Sequence, residues 1–363
     1  MRWDVDGRPP SRYTRLYEKG MWLGRDKQAF DGARHTLDQA RERQRSGDCA
    51  PTRLTRLRLD VTTSSRGGAT VWTARPRGRA PLARVLYVHG GGYVHPLTSD
   101  YWRLVRALTA APAEVVVPAY PLAPEATVDD VLPWLLELVT DLSAEPPVLP
   151  LVLMGDSAGG ALVLGLAARL RDGAGHPVAG VVALSPWLDA TLSQPEVADL
   201  EASDPMLAES GLRAAGRWWA GDRDPTDRLV SPVDADLRGL PPLDVYVGRN
   251  DILRPAVSTF AARADAADAD LHVHEVTAMF HVWMTRLIPE GRRTRRELTA
   301  LIRTRAAAWS GGARVPNRPT REGRQVMTRL LSMVARAVQV VRRRSRPVVE
   351  PGPAPTRGGR PLR

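Results

Sequence analysis

The sequence predicts an α/β fold in which a buried, mostly parallel sheet carries helices on both faces. Its apolar runs alternate with stretches of helical character and lie near residues 84–88, 115–117, 151–154, 179–184 and 245–247. Strands covered on both faces are continuously apolar, and their alternation with helices is typical of parallel sheets with crossover connections. At 363 residues and 43% hydrophobic composition, the chain can bury one large core of this kind.

The most informative motif is Gly155-Asp156-Ser157-Ala158-Gly159, which separates the apolar run at 151–154 from the small-residue segment 161–167. A G-x-S-x-G sequence between a strand and a helix is typical of a nucleophile elbow, a sharp turn that holds its serine in a strained, accessible conformation. The flanking glycines leave room where the strand and helix backbones nearly touch. Taken alone, the pattern also fits a glycine-rich turn with an incidental serine.

A second glycine motif, His89-Gly90-Gly91-Gly92, strengthens this interpretation. It follows the strand-like run 83–88 and precedes a helix predicted over about 100–110. Glycine lets the backbone turn its N–H groups toward a reacting carbonyl, and such donors can form an oxyanion hole with the N–H of the residue after the nucleophile. A triple glycine alone is more often a flexible loop, but its place upstream of the serine predicts three donors: Gly91, Gly92 and Ala158.

Together the two motifs resemble the hormone-sensitive lipase family of α/β-hydrolases, the branch that contains many bacterial carboxylesterases. Between them, Tyr120-Pro121-Leu122-Ala123-Pro124-Glu125 is similar to a family segment, with proline in place of arginine at 121. Downstream, residues 184–189 and Asp204-Pro205 also resemble family segments. The likeness covers roughly residues 60–310. It implies an α/β-hydrolase fold with a helical cap.

The resemblance also implies an acidic residue after a late strand. The strand-like segment 243–248 is followed by Asp251, at the carboxyl edge where parallel sheets bind ligands. Asp251 is therefore the predicted catalytic acid. Asp244 is the rival, but it lies at the opposite end of the same predicted strand.

The catalytic base is expected in the loop after the next strand. His281 follows the alternating segment 271–276, whereas His272 and His274 share one face of that segment and are more typical of packed or solvated side chains. Ser157, Asp251 and His281 are thus the predicted triad. The residues expected to support its geometry are His89, Gly90, Gly155, Asp156 and Gly159.

The resemblance divides the chain into a cap, a body and a tail. Residues 1–60 are expected to form an N-terminal helical cap segment, although their apolar face would equally fit core packing. Residues 61–310 are expected to form the catalytic domain, in which 189–240 contribute a second cap element. Within that element the candidate residues for an acyl pocket are Met206, Leu207, Trp218 and Trp219.

The tail, residues 311–363, carries the whole net charge of the chain. It holds 13 arginines and two acidic residues, a net of +11, so residues 1–310 hold 38 basic and 38 acidic residues. The segment 321–344 predicts a basic amphipathic helix followed by a proline-rich, disordered end. Such a helix could contact an anionic membrane, dock on the catalytic body or bind a partner.

No metal and no organic cofactor is expected, because the chain has one cysteine and no H-E-x-x-H pairing among its seven histidines. Nucleic acid is not an expected partner, since the tail lacks interleaved aromatic residues. Lone Cys49, an N-terminus without an apolar signal region and the lack of a long apolar run predict a cytoplasmic location. The oligomeric state is left open.

The resemblance implies a cofactor-independent serine carboxylesterase whose substrates are small-molecule esters of short to medium acyl chains. Two alternatives remain open at this point. One is a deacylase or amidase for a specific metabolite. The other is a non-catalytic small-molecule-binding protein on the same fold, against which the intact set Ser157, Asp251 and His281 argues.

Overall fold

The computed structural model describes residues 1–173 and 178–309. Within them, nine strands form one sheet: β1 (Arg2–Asp6), β2 (Leu59–Arg66), β3 (Ala69–Pro76), β4 (Ala83–Val88), β5 (Ala113–Pro118), β6 (Leu151–Asp156), β7 (Gly180–Leu184), β8 (Leu243–Gly248) and β9 (Leu271–Val276). The same residues form ten α-helices: α1 (Arg12–Gly24), α2 (Ala33–Ser46), α3 (Arg53–Arg58), α4 (Tyr101–Leu108), α5 (Val128–Ala144), α6 (Ala158–Asp172), α7 (Glu196–Glu201), α8 (Glu209–Ala220), α9 (Arg254–Ala266) and α10 (Pro289–Ala308). Short 3₁₀ helices lie at Asp26–Phe30, Pro232–Asp234 and Trp283–Thr285.

The sheet has the strand order β1-β9-β8-β7-β6-β4-β5-β3-β2. Along this spatial order, each neighbouring pair of strands from β1 as far as β5 is parallel, whereas β3 pairs antiparallel with both β5 and β2. The five predicted apolar runs are strands β4 to β8, and every residue in these strands is buried. The predicted α/β class with a mostly parallel sheet is therefore confirmed.

The carboxyl ends of the parallel strands bring the sequence motifs to one edge of the sheet. The glycine motif at 89–92 follows β4, and Ser157 follows β6. Asp251 and His281 follow β8 and β9. Because parallel sheets bind ligands at this edge, the topology alone places the candidate site there.

Helical segments from two parts of the chain meet above this edge. The 3₁₀ helix at 26–30, between α1 and α2, packs so closely on α8 that a Cβ at Gly211 would overlap the backbone of Phe30. The N-terminal segment is not only helical, because β1 pairs in parallel with β9 as an edge strand. The sequence did not predict strand β1. The division of the chain into cap, body and tail stays a prediction.

Within residues 1–173 and 178–309, none of the helices combines the length and the hydropathy needed to cross a bilayer. The predicted amphipathic helix at 321–344, together with the tail 311–363, lies outside the described residues. Its membrane contact stays a prediction.

Candidate active site

Ser157 stands in a strained backbone conformation at the turn between β6 and α6. Its φ and ψ are 52° and −120°, outside the regions that non-glycine residues ordinarily occupy. Its backbone is held on both sides, because the Ser157 N–H donates to the Leu184 carbonyl over 2.8 Å and its own carbonyl accepts from the Trp187 N–H over 2.9 Å. This is the geometry of the predicted nucleophile elbow.

The glycines around Ser157 are required by close approach. A Cβ at Gly159 would lie 2.6 Å from the His89 carbonyl, and one at Gly155 would lie 2.8 Å from the Val88 carbonyl. Real Cβ atoms do not come this close to backbone, so any side chain here would push the elbow away from β4. The two glycines thus set the spacing between the serine and the glycine motif.

The glycine motif wraps around the nucleophile. A Cβ at Gly90 would lie 2.9 Å from the Ser157 Cβ. Gly91 and Gly92 have φ of 108° and 61°, a region that favours glycine. Among the described residues, the N–H groups of Gly91, Gly92 and Ala158 have no hydrogen-bond acceptor. They are free to donate to a substrate oxygen, as the oxyanion-hole prediction requires.

Asp156 links the glycine motif to the nucleophile elbow through side-chain hydrogen bonds. Its buried carboxylate accepts from the Tyr87 hydroxyl over 2.6 Å, the Tyr101 hydroxyl over 2.9 Å and the Gly90 N–H over 3.0 Å. Burial raises the pKa of Asp156, although hydrogen bonds from the two tyrosines oppose the shift. The carboxylate is a positioning group, because its oxygens are occupied by these three donors.

His89 supports the loop from its other side. Its Nδ1 lies 2.7 Å from the Gly90 carbonyl, and its ring stacks on Tyr120 with 4.5 Å between the ring centroids. The Tyr120 hydroxyl donates to the His89 carbonyl over 2.9 Å. Burial lowers the pKa of His89, so its ring remains neutral and acts as packing.

His281 and Asp251 form a buried pair. The His281 Nδ1 lies 2.9 Å from the Asp251 Oδ2, and the second carboxylate oxygen accepts from the Leu253 N–H over 3.0 Å. Burial alone would lower the pKa of His281, but the charge and hydrogen bond of Asp251 outweigh it and the pKa is raised. The pair therefore keeps a proton on Nδ1 and leaves Nε2 to act as a base.

Ser157 and His281 line the same cavity, yet within the described parts of the chain no hydrogen bond joins them. The expected approach of Ser157 Oγ to within hydrogen-bond reach of a His281 ring nitrogen therefore stays a prediction. Catalytic hydrogen bonds are often long or misaligned without substrate and tighten in the complex. The structure brings the three predicted groups to one site with one of the two expected hydrogen bonds in place.

Asp204 is a second buried carboxylate beside this pair. It accepts from the backbone N–H groups of Met206, Leu207 and Ile252 at 2.8, 3.0 and 3.0 Å. Burial and the charge of Asp251 raise the pKa of Asp204 to about 6. By bonding both the 206–207 segment and the loop after β8, Asp204 holds the cavity wall against the Asp251 loop.

Ser185 links the serine and histidine loops. Its hydroxyl accepts from the Val282 N–H over 3.1 Å, next to His281 in the chain. Its own N–H donates to the Tyr246 carbonyl over 2.6 Å. The sequence indicates Ser185 and Asp204 only as parts of segments that resemble the family, because their positioning contacts depend on tertiary neighbours.

The cavity at Ser157 has a volume of about 370 Å³. Phe30 comes from the N-terminal segment, and a Cβ at Gly92 would lie 2.7 Å from its ring. Met206 and Leu207 also line the cavity, as predicted for an acyl pocket. Trp218 and Trp219 do not line it, and Trp219 instead stacks on Tyr93 with 4.1 Å between ring centroids.

The rival residues lie elsewhere. Asp244 accepts from Arg305 over 2.6 Å and lies 3.3 Å from His274, at the amino end of β8. His272 lies 2.9 Å from Asp4 of β1. Neither histidine reaches the cavity that holds Ser157, so the structure separates this cluster from the candidate triad.

The comparison with known proteins agrees with the geometry. Residues 85–285 match the family described as the alpha/beta hydrolase fold. The chain is 34% identical over 239 residues to an acetyl-hydrolase of Streptomyces hygroscopicus, covering 64% of this chain and 77% of that protein. It is 30% identical over 262 residues to a carboxylesterase of Mycobacterium tuberculosis, covering 68% and 81%.

Solved structures show the same likeness. An esterase/lipase from an uncultured bacterium superposes with a TM-score of 0.70 at 27% identity, covering 82% of this chain and all of that one. An esterase from the bacterial hormone-sensitive lipase family superposes with a TM-score of 0.68 at 26% identity and the same coverage.

The chain therefore belongs to the α/β-hydrolase family, and the predicted likeness to its hormone-sensitive lipase branch is confirmed. Within that family it is a carboxylic ester hydrolase of the serine esterase type.

Proposed function

We propose that this enzyme hydrolyses short- to medium-chain carboxylic esters through an acyl-enzyme on Ser157, with His281 as base and Asp251 as its partner. The observation that carries the proposal is the convergence, at one sheet edge, of a strained serine, a buried histidine–aspartate pair and three N–H groups that have no acceptor among the described residues. These are the parts that acyl transfer needs: a nucleophile, an oxyanion hole and an oriented base.

The first half of the reaction forms the acyl-enzyme. As Ser157 Oγ attacks the ester carbonyl carbon, His281 Nε2 takes the hydroxyl proton, and Asp251 stabilises the resulting imidazolium. The carbonyl oxygen gains negative charge and accepts hydrogen bonds from the N–H groups of Gly91, Gly92 and Ala158. His281 then returns the proton to the departing alkoxide as the carbon–oxygen bond of the ester breaks.

The second half releases the acid. A water molecule gives its proton to His281 Nε2 and attacks the acyl carbon, so that the same N–H groups again stabilise the oxyanion. The bond to Ser157 Oγ breaks, and the serine recovers its proton from His281. The balance of atoms needs only ester and water.

The size of the cavity supports the limit on acyl length. A volume of about 370 Å³ is near the lower end for small-molecule sites. Phe30 and Leu207 are buried in its wall, and Met206 is half-buried there. An acyl group of a few carbons fits this space together with part of the alcohol, whereas a long chain would have to displace Phe30.

An ester series tests the proposal. Phenyl esters of increasing acyl length should give the highest kcat/KM for the short chains, with a steep fall once the acyl group outgrows the cavity. Phe30→Ala should move that fall to longer chains, and Tyr13→Ala, on the exposed side of the same segment, should leave the profile unchanged. A profile that rises steadily with chain length would contradict the size argument. Hydrolysis of the matched anilides but not of the esters would favour the amidase alternative.

The cytoplasmic location stays a proposal, supported by the single cysteine of the chain. Fractionation of cells that express the full chain would test it, and recovery with the membranes would instead favour the contact proposed for residues 321–344.

A further inference from the structure

A second cluster of ligand-type side chains lies far from the catalytic edge, on strands β1, β9 and β8. Asp244, His272 and His274 place their nearest nitrogen and oxygen atoms within 4.8 Å of one another. The pairing of β9 with β8 sets Asp244 opposite His272, and His274 follows two residues later on the same strand face. The register of two neighbouring strands thus builds the cluster.

We propose that Asp244, His272 and His274 form a binding site for a divalent transition metal of the zinc type. Two imidazoles and one carboxylate are a ligand set that Zn²⁺ commonly takes, with water in the fourth position. Bonds of 2.0–2.1 Å in a tetrahedron put ligand atoms about 3.3 Å apart. Asp244 Oδ1 lies 3.3 Å from His274 Nε2 and 3.9 Å from His272 Nδ1, so small side-chain rotations close the site.

A neighbouring side chain contacts each of the three proposed ligands and orients it. Asp4 Oδ2 lies 2.9 Å from His272 Nε2, so the proton on that nitrogen leaves Nδ1 as the lone-pair donor. Arg305 donates to Asp244 Oδ2 over 2.6 Å, which leaves Oδ1 toward the two rings. The His274 ring stacks on Tyr246 with 4.2 Å between ring centroids. Partners of this kind orient metal ligands and raise metal affinity.

The site is open to solvent and separate from catalysis. The side chains of His272 and His274 are 22% and 24% exposed, while Asp244 is buried, so an ion could enter from the surface. Asp244 lies four residues before Gly248, or about 13 Å along the strand from the edge that carries Asp251. A bound ion would bridge β8 and β9, and Asp4 would extend the network to β1.

The competing account is a network of hydrogen bonds that holds these strands with no ion. Zinc titration of the full chain, freed of metal by chelation, separates the two. Titration calorimetry with Zn²⁺ alone should show that the wild type binds one equivalent. Thermal unfolding should show that the bound Zn²⁺ raises the Tm. His272→Gln and His274→Gln should each weaken binding by at least about 100-fold, and Asp4→Asn, which removes no ligand, by about 10-fold or more.

Controls keep the result attributable to this cluster. His35→Gln changes an exposed histidine and should bind Zn²⁺ as the wild type does. His281→Gln should also keep the equivalent, which would exclude capture at the catalytic edge. Anomalous scattering from a zinc-soaked crystal should place the ion between β8 and β9. Circular dichroism checks that the glutamine variants fold. Failure of the wild type to bind Zn²⁺ stoichiometrically, or equal binding by folded His274→Gln, would overturn the proposal and leave the hydrogen-bond network.

Discussion

His281 Nδ1 and Asp251 Oδ2 lie 2.9 Å apart, and both side chains are buried. The two residues come from loops that follow neighbouring strands, so the sheet itself fixes their distance. A carboxylate in this position selects the imidazole tautomer in which Nε2 carries the lone pair, and it stabilises the imidazolium formed during the reaction.

Replacement of Asp251 by asparagine should therefore remove catalysis while leaving binding. Asp251→Asn should lower kcat by about 10⁴-fold with little change in KM, because the amide favours the wrong tautomer. Steady-state kinetics on a short-chain ester measures both constants. Asp265→Asn, an exposed substitution on α9, is the matched control and should keep full activity. Comparable kcat values for the two variants would remove Asp251 from its proposed role.

The pH dependence of kcat/KM should report His281. The pKa of this histidine is raised above its ordinary 6.5, and only its neutral form acts as a base. Activity should rise with pH and reach half its maximum above pH 6.5. In Asp251→Asn the midpoint of the residual activity should fall, because the charge that raises the pKa is gone.

Two titratable side chains near His281 must be considered when this pH profile of kcat/KM is interpreted. Burial lowers the pKa of His95, which also lines the cavity, to about 3, so it does not titrate in the neutral range. Asp204, with a pKa of about 6, does titrate in that range. The Asp204→Asn variant separates its contribution to the pH profile from that of His281. A wild-type midpoint below 6.5, or one that Asp251→Asn leaves in place, would argue against His281 as the base.

Gly92 should be intolerant of even a methyl group. Its φ of 61° disfavours a side chain, and a Cβ would lie 2.7 Å from the Phe30 ring. Gly92→Ala should lower kcat by about 10²-fold or more by displacing an oxyanion donor. Gly78 has a similar φ of 67° but open space around its Cβ position, so Gly78→Ala should change kcat little. Equal kcat values in both variants would show that the glycine loop is not part of the reacting site.

The tail prediction rests on charge alone. Deleting residues 311–363 removes the +11 excess and leaves a neutral body. The kcat/KM of the truncated chain for a neutral short-chain ester should be nearly unchanged, because a neutral substrate is not steered by charge. The full chain should sediment with anionic vesicles, less so as salt is added, and the truncated chain should not. Equal sedimentation would dismiss the membrane contact, and a large loss of stability would instead indicate a docked tail.

The sequence predicted the centre of the sheet better than its edges. Strands β4 to β8 are buried on both faces, so each carries an apolar run that can be recognised. At the edges, β2 reads LDVTTSSR and is largely exposed, and β1 is five residues long with charged side chains. Edge strands gain their pairing from neighbours and need no apolar pattern of their own, so local sequence could not reveal them.

The site divides in the same way. Ser157 and the glycine motif belong to short motifs that are continuous in the sequence. Asp251 and His281 each follow a predicted strand, and this position places both residues at the carboxyl edge of the sheet. The contact of Phe30 with Gly92, the bonds of Asp204 to two loops and the support of Val282 by Ser185 join residues far apart in the chain. Nothing local specifies such contacts. The approach of Ser157 Oγ to His281 also depends on side-chain rotation, which spacing in the sequence does not determine.

The identity of the nucleophile is the central claim, and covalent labelling tests it most directly. A fluorophosphonate reacts with an activated serine and leaves a stable phosphonyl adduct. Peptide mapping by mass spectrometry should place one adduct on Ser157, with complete loss of esterase activity, and the folded Ser157→Ala variant should remain unlabelled and inactive. An adduct on any other serine, or esterase activity retained in Ser157→Ala, would contradict the account.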